Sequence, residues 1–231
     1  MTILSVVGLC CPRLSLEIPT TFIGQSRPEY VELLEIANEM AEVIAKAHDW
    51  RALTTLKTMT GDGTTEAFAL PADYDRMITD AKVWSSSLES SLTHIGSLDK
   101  WLELDIQSFD FVINAWTLIG GNMEIKPAFA SAVTAKYYYQ SNLVVSPATG
   151  DNKTSFTLDT DTYRLPERLL KLGIIWQWKS AKGLPYAKEE DAYNAAMEQE
   201  IARDKGSRMI RIGKVRLPSD VSIAYPQAIV P

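Results

Sequence analysis

Residues 156–186 read FTLDTDTYRLPERLLKLGIIWQWKSAKGLPY, and they hold a helix start, the most apolar helix of the chain, a stop and a second start. Pro166 stands where a first helical turn accepts proline, because no N–H is needed there, and Glu167 puts a carboxylate beside the positive end of the helix dipole. From Leu169 onward, Leu169, Leu170, Leu172, Ile174, Ile175, Trp176 and Trp178 cover more than one face. That pattern predicts a central helix packed on several sides, with Leu169, Leu172, Trp176 and Trp178 as its packing residues. Lys179 and Lys182 suit the negative end, and Gly183 is a left-handed stop before Leu184 and Pro185. A second helix from Ala187 to Lys205 follows, with Tyr193, Ala196, Met197 and Ile201 at three- and four-residue spacings and Gly206 as its stop. The two helices should form a hairpin.

Working back toward the N-terminus, residues 3–11 are apolar but lack a basic leader and a small-residue cleavage pattern, so they predict a helix of the mature protein. Pro28 to His48 predicts an amphipathic helix capped by Ser26, with Leu33, Ile36, Met40, Val43, Ala47 and Trp50 on one side. Glu29, Glu32, Glu35, Glu39 and Glu42 lie mostly on the others; they form either a solvated acidic face or, in a ring, a channel wall that repels DNA.

The middle of the chain reads as strands. Leu53 to Met59 and Thr65 to Leu70 flank Gly61-Asp-Gly63 and predict a hairpin. Leu70 to Ile78 reads as helical or irregular, Asp80 to Ser86 as a strand, and Ser97 to Leu104 as a helix with Leu98, Trp101 and Leu102 inward. Ala115 to Ile119 and Asn122 to Lys126 form a second hairpin through Gly120-Gly121, and Thr134 to Leu143 is a further strand, with Tyr137-Tyr-Tyr139 placing rings on both faces. Pro147 to Thr154 is a polar loop and the clearest internal hinge. There is no internal repeat or low-complexity tract. The class is α+β: a helical bundle from the N- and C-terminal helices (residues 1–50 and 165–206), a β-rich insertion (51–146) and an extended C-terminal arm (207–231).

The 231 residues carry a net charge of −6, which argues against a protein that coats nucleic acid. The two cysteines, Cys10 and Cys11, are neighbours and read as reduced thiols of a cytosolic setting. No run is long and apolar enough to span a bilayer. Asp159, Asp161 and Glu167 have carboxylates suited to hard cations, but no loop of ligand spacing surrounds them, and they read as turn and helix-entry residues. His48-Asp49 has no nucleophile in a recognisable setting, and Gly61-Asp-Gly63 lacks the Lys-Ser/Thr of a phosphate loop. Neither catalytic residues nor a cofactor or metal site can be named.

From Lys205 onward, five basic residues face Asp220 alone, so this end is +4 and the remaining chain is −10, giving the total of −6. Arg208, Ile210, Arg211, Ile212, Lys214, Val215, Arg216, Leu217, Val221, Ile223 and Tyr225 interleave charge with β-branched and aromatic side chains, and Pro218 and Pro226 oppose a helix. The segment reads as a disordered tail or as an arm that anchors on a portal or a neighbouring subunit.

The run DTDTYRLPERLLKLGIIWQWKSAKGLPYAKEEDAYNAAMEQEIARDKGSR resembles the C-terminal half of the head-to-tail adaptor proteins of tailed bacteriophages, also called connector or head-completion proteins. The opening MTILSVVGLCCPRLSLEIPTTFIGQSRPEYVELLEIANEMAEVIAKAHDWRALTT is similar to theirs, including the His-Asp-Trp step before a strand. FALPADYDRMITDAKVW and TLIGGNMEIKPAFASAVTAKYYYQSN resemble the middle section. The likeness runs from about Thr2 to Arg208. It implies a structural virion protein, assembled in the host cytoplasm as a ring, typically of twelve copies, beneath the portal. Such a ring joins the DNA-filled head to a tail component and leaves a channel through which DNA passes. A tail-side gatekeeper or tail-tube terminal ring, and more remotely an oligomeric enzyme, are the alternative readings.

Overall fold

A computed structural model describes residues 1–106 and 114–204. In α1 (Ile3–Leu14) the Thr2 hydroxyl accepts from the Ser5 N–H at 3.3 Å, and Ser15 ends the helix in the left-handed region at φ 58°. Pro28 opens α2 (Pro28–Ala47), but Arg27 flanks it and no side chain caps it, so Ser26 is not the cap. The Arg27 carbonyl instead accepts from Tyr30 and Val31 N–H. The buried stripe of α2 is Tyr30, Leu33, Ile36, Ala37, Met40, Ala41 and Ile44. Val43 and Ala47, expected inward, are exposed, because at 3.6 residues per turn Ile44 holds the core position that Val43 was assigned. Trp50 is buried beyond the helix end, where its Nε1 donates to the Ile44 carbonyl at 2.7 Å.

After a 3-10 turn at Arg51–Leu53 come β1 (Thr54–Thr60), β2 (Ala67–Ala69), β3 (Tyr74–Met77), β4 (Trp84–Ser85), β5 (Ser90–Ser91) and β6 (Thr93–His94). Then follow α3 (Leu98–Ile106), β7 (Ala115–Ile119), β8 (Asn122–Lys126), β9 (Thr134–Ser141), β10 (Val145–Ser146), β11 (Thr162–Tyr163), α4 (Glu167–Ala181) and α5 (Ala187–Asp204). The fold is α+β, with helices at both ends and strands between.

The expected hairpin at Gly61-Asp-Gly63 does not form. β1 pairs antiparallel with β9, Thr54 opposite Gln140 and Thr60 opposite Thr134, whereas β2 pairs with β8 in a different sheet. The cause is local. The Asp62 carboxylate accepts from the N–H groups of Thr64 and Thr65 at 2.8 and 2.7 Å, which turns the chain away from β1 rather than back along it. Residues 74–77, expected helical or irregular, are a strand on β9, and of residues 80–86 only Trp84 and Ser85 are strand. The predicted hairpin of β7 and β8 is present: Gly120 and Gly121 have φ 58° and 83°, the left-handed pair that a two-residue turn needs.

β9 is the organising strand of a five-stranded sheet with β1, β3, β4 and β5, and β2, β8, β7 and β6 make a four-stranded one. Between them lies one apolar cluster built on Met59, Val83, Trp116, Met123, Ile125, Phe129 and Tyr137. In α3 Trp101 is buried, its Nε1 donating to Glu124 at 2.8 Å; Leu98 and Leu102, expected beside it, are exposed.

A second, larger cluster joins α1, α2, α4 and α5. Leu169 and Trp178 of α4 are buried within it, and Leu172 and Trp176 pack half-buried against it. Trp176 lies beside Tyr193 and Tyr186, ring centroids 6.1 and 6.4 Å away. α2 and α4 approach closely at Gly173, where an added Cβ would stand 2.7 Å from Met40 Cε. Gly183, at φ 65°, ends α4, and the Leu184 N–H donates back to the Lys179 carbonyl. α5 then returns along α4, burying Tyr193 and Ala196, and the helical hairpin stands. The Gly206 stop lies outside the described residues.

Candidate functional site

Asp159 and Asp161 hold the entry to the central helix against the N-terminus. The Asp159 carboxylate accepts from the Phe22 and Ile23 N–H groups at 3.1 and 2.7 Å. Asp161 is fully buried; its carboxylate accepts from Lys153 Nζ at 2.8 Å and from the Thr157 and Leu158 N–H groups at 2.8 and 2.9 Å. Burial alone would raise its pKa, but the Lys153 ammonium and the two N–H donors outweigh it and hold the carboxyl below its usual value. The Asp161 carbonyl accepts from the Ile3 N–H at 2.7 Å, the first of α1's free donors. The Met1 ammonium meets Glu167 at the start of α4. These contacts assign the two aspartates to the turn that binds α1, the segment around Phe22 and α4 into one unit. Among the described residues, no group of three or more His, Cys, Asp or Glu side chains is placed to hold a metal ion.

His48 follows α2 as its C-terminal flanking residue, and its Nε2 stands 3.3 Å from Asp204 Oδ2. That is ion-pair distance without hydrogen-bond alignment, since the ring nitrogen has no hydrogen-bond partner. Asp204 also accepts from the Arg51 N–H at 3.1 Å, so the end of α5 is fixed beside the end of α2. Cys10 and Cys11 are free and buried in the helical core, and burial pushes the Cys10 thiol up to about 12. A thiol so placed is a small apolar packing group rather than a nucleophile.

Two surfaces stand out. The first is the outer face of the large sheet, where register puts Leu56 of β1 directly opposite Tyr138 of β9, and Trp84 of β4 opposite Lys136 of β9. Leu56, Trp84 and Tyr138 are 48, 54 and 54% exposed, and they flank a shallow concavity of about 450 Å³ that Ile78 and Thr79 also line. Large aromatic anchors gathered in the open are the composition of binding surfaces. The sequence signal for this face was the alternation through the three tyrosines, in which 137 and 139 are buried and 138 alone points out.

The second surface is α2, whose outer side exposes Glu29, Glu35, Glu39 and Glu42 with Val31 and Val43 between them. Glu32 reaches Lys182 at the end of α4 at 2.6 Å. The residues expected to make the partner contacts, Arg208, Ile210, Arg211, Ile212, Lys214, Val215, Arg216, Leu217, Val221, Ile223 and Tyr225, lie outside the described residues. Among the described residues, no helix is long and apolar enough to cross a membrane.

No curated protein matches the chain. A family model described as SU10 adaptor protein matches residues 10–218, starting within α1 and running past α5 into the basic C-terminal segment. Because that match takes in the end of α1, all of α2 to α5 and the β-rich middle, the protein belongs to the SU10 adaptor protein family, a phage head-tail adaptor family, and is a structural component of the phage particle.

Proposed function

We propose that copies of this chain close into a ring, of twelve subunits as is typical of the adaptors it resembles, that docks beneath the portal and carries a tail component on its other side. The family match over residues 10–218 carries this reading. Residues 1–206 are the adaptor body and residues 207–231 an arm that reaches onto the portal. In a ring each copy offers one face to the next and a different face to the previous one, and the exposed Leu56, Trp84 and Tyr138 supply an apolar anchor for such a contact. The acidic outer side of α2 suits a channel wall, because like charge keeps passing DNA from adhering.

The test is to mix the purified chain with portal rings and count bound copies by native mass spectrometry. Full-length protein is expected to saturate the portal as a closed ring. Protein lacking residues 209–231 is expected to keep its circular dichroism spectrum and lose portal binding. Docking of the truncated protein at full occupancy would contradict the role given to the arm.

A further inference from the structure

The β-rich part of the fold presents two unlike surfaces on opposite sides. Tyr137 and Tyr139 of β9 point into the cluster between the sheets, so Tyr138 projects outward from the large sheet, with Leu56 and Trp84 exposed on the strands beside it. In the small sheet Met123 and Ile125 enter the same cluster, so Glu124 and Lys126, which alternate with them along β8, project from the far side. There α3 is anchored. The Trp101 indole donates to Glu124, and the Lys126 ammonium stands 5.2 Å from the centre of its ring.

Held by Trp101, α3 leaves Leu98, Leu102 and Ile106 59, 54 and 72% exposed. Their spacing of four residues lines them along one side of the helix, in a stripe about 12 Å long at a rise of about 1.5 Å per residue. Asp99 and Glu103 follow the first two leucines by one residue and are exposed beside the stripe. Lys100, the cation of this helix, lies about 200° round from Leu102.

The apolar group on the large sheet has the same reach. Leu56 and Trp84 flank β9 from its two edges and stand two residues apart in register, opposite Tyr138 and Lys136. With strands about 4.8 Å apart and a rise of about 3.4 Å per residue, that is a separation of about 12 Å. The charge balance is opposite to that of α3, since Lys82 and Lys136 line this concavity with Asp80.

We infer, resting on the ring reading above, that α3 of one copy lies on the outer face of the large sheet of the next. The Leu98, Leu102 and Ile106 stripe then covers Leu56, Trp84 and Tyr138, and Asp99 and Glu103 come beside Lys82 and Lys136. Two complementary surfaces on opposite sides of one subunit repeat head to tail, which is the contact a ring requires. Self-pairing is disfavoured on both sides: sheet against sheet would bring Lys82 and Lys136 against their own kind, and α3 against α3 would oppose Asp99 and Glu103.

Two variants of the full-length chain test the pairing by sedimentation velocity. One carries Trp84→Glu and Tyr138→Glu and keeps α3 intact; the other carries Leu98→Glu and Leu102→Glu and keeps the sheet intact. All four positions are more than half exposed, and circular dichroism checks that both variants fold. At a concentration where the unaltered chain assembles, each variant alone is expected to remain a monomer. Their equimolar mixture is expected to give a dimer that grows no further, because such a pair has one competent contact and two dead ends. Rings or dimers formed by the Leu98 and Leu102 variant alone would overturn the inference, and so would a mixture that stays monomeric. Charge gives a second readout. Lys82→Glu with Lys136→Glu is expected to weaken assembly about tenfold or more at low salt, and Asp99→Lys with Glu103→Lys in the same chain to restore it. Lack of restoration would also count against the pairing. If the unaltered chain assembles and the mixture does not, this contact alone falls; if the unaltered chain assembles neither free nor on portal rings, the ring reading itself falls.

Discussion

Asp161→Asn removes the charge at the buried turn that ties α1 to the entry of α4 while keeping the side chain's shape. The carboxylate receives four close hydrogen bonds: Lys153 Nζ to both oxygens at 2.9 and 2.8 Å, and the Thr157 and Leu158 N–H groups to Oδ2. An Asn oxygen can keep the two N–H donors only by turning its NH2 toward the Lys153 ammonium. The loss is then a charge-assisted bond and an ion pair, and because the Lys153 side chain is 27% exposed it can partly recover by turning to water. The expected cost is about 2–3 kcal/mol, below the full penalty for breaking a fully buried pair. For a chain of this size that is roughly 4–12 °C in Tm.

The pH dependence fixes the cause of that loss. The folded pKa of Asp161 is depressed, so its stabilisation is fully present above the ordinary carboxylate pKa of about 4 and is lost as pH falls through the folded value. Thermal unfolding of both proteins from pH 7 downward should therefore show a Tm gap that is constant to about pH 4 and narrows below it. A gap under about 2 °C at pH 7, or one that widens on acidification, would refute the reasoning.

Other perturbations read different parts of the molecule. Gly61→Ala places a Cβ 2.5 Å from Phe129 Cβ and 2.7 Å from two backbone carbonyl oxygens, so it should destabilise by more than about 2 kcal/mol in a denaturant melt. At Gly183 nothing lies within 4 Å of an added Cβ, and Gly183→Ala should cost only the left-handed conformation, about 1 kcal/mol. Cys10 and Cys11 should resist iodoacetamide at pH 8 in the native protein and react once guanidinium unfolds it, because burial raises both thiols; fast native labelling would contradict the packing of α1. Trp84→Glu with Tyr138→Glu should change stability by no more than about 0.5 kcal/mol each yet abolish ring formation in sedimentation velocity. Rings that persist would remove that face from the subunit contact.

What could be read from the chain was what local chemistry decides. Glu167, the apolar run through Trp178 and Gly183 mark α4 with near neighbours alone, and Gly120-Gly121 marks the β7–β8 turn in the same way. The pairing of β1 with β9 joins residues some eighty apart in the sequence, and no local signal records it. Gly61-Asp-Gly63 carried a hairpin's composition, and the direction of the turn was set by Asp62 reaching forward to Thr64 and Thr65. Helix faces failed where surfaces stay uncovered: Val43, Leu98 and Leu102 were assigned inward because they are apolar, and the structure leaves them open. No local signal marks Gly173, yet it is where α4 admits Met40 of α2. A concavity lined by Asn38, Glu39, Arg76, Gln140 and Asn142 assembles from α2, β3, β9 and the turn after it, so no single stretch announces it.

Electron microscopy of phage particles tests the central claim most directly, with this chain located by fitting α2, α4 and α5 into density at the head-tail vertex. The expected result is a closed ring of this fold, coaxial with and touching the portal, with the acidic side of α2 facing the channel. A ring found only further down the tail would contradict docking at the portal, and particles that lack the chain altogether would contradict the virion role.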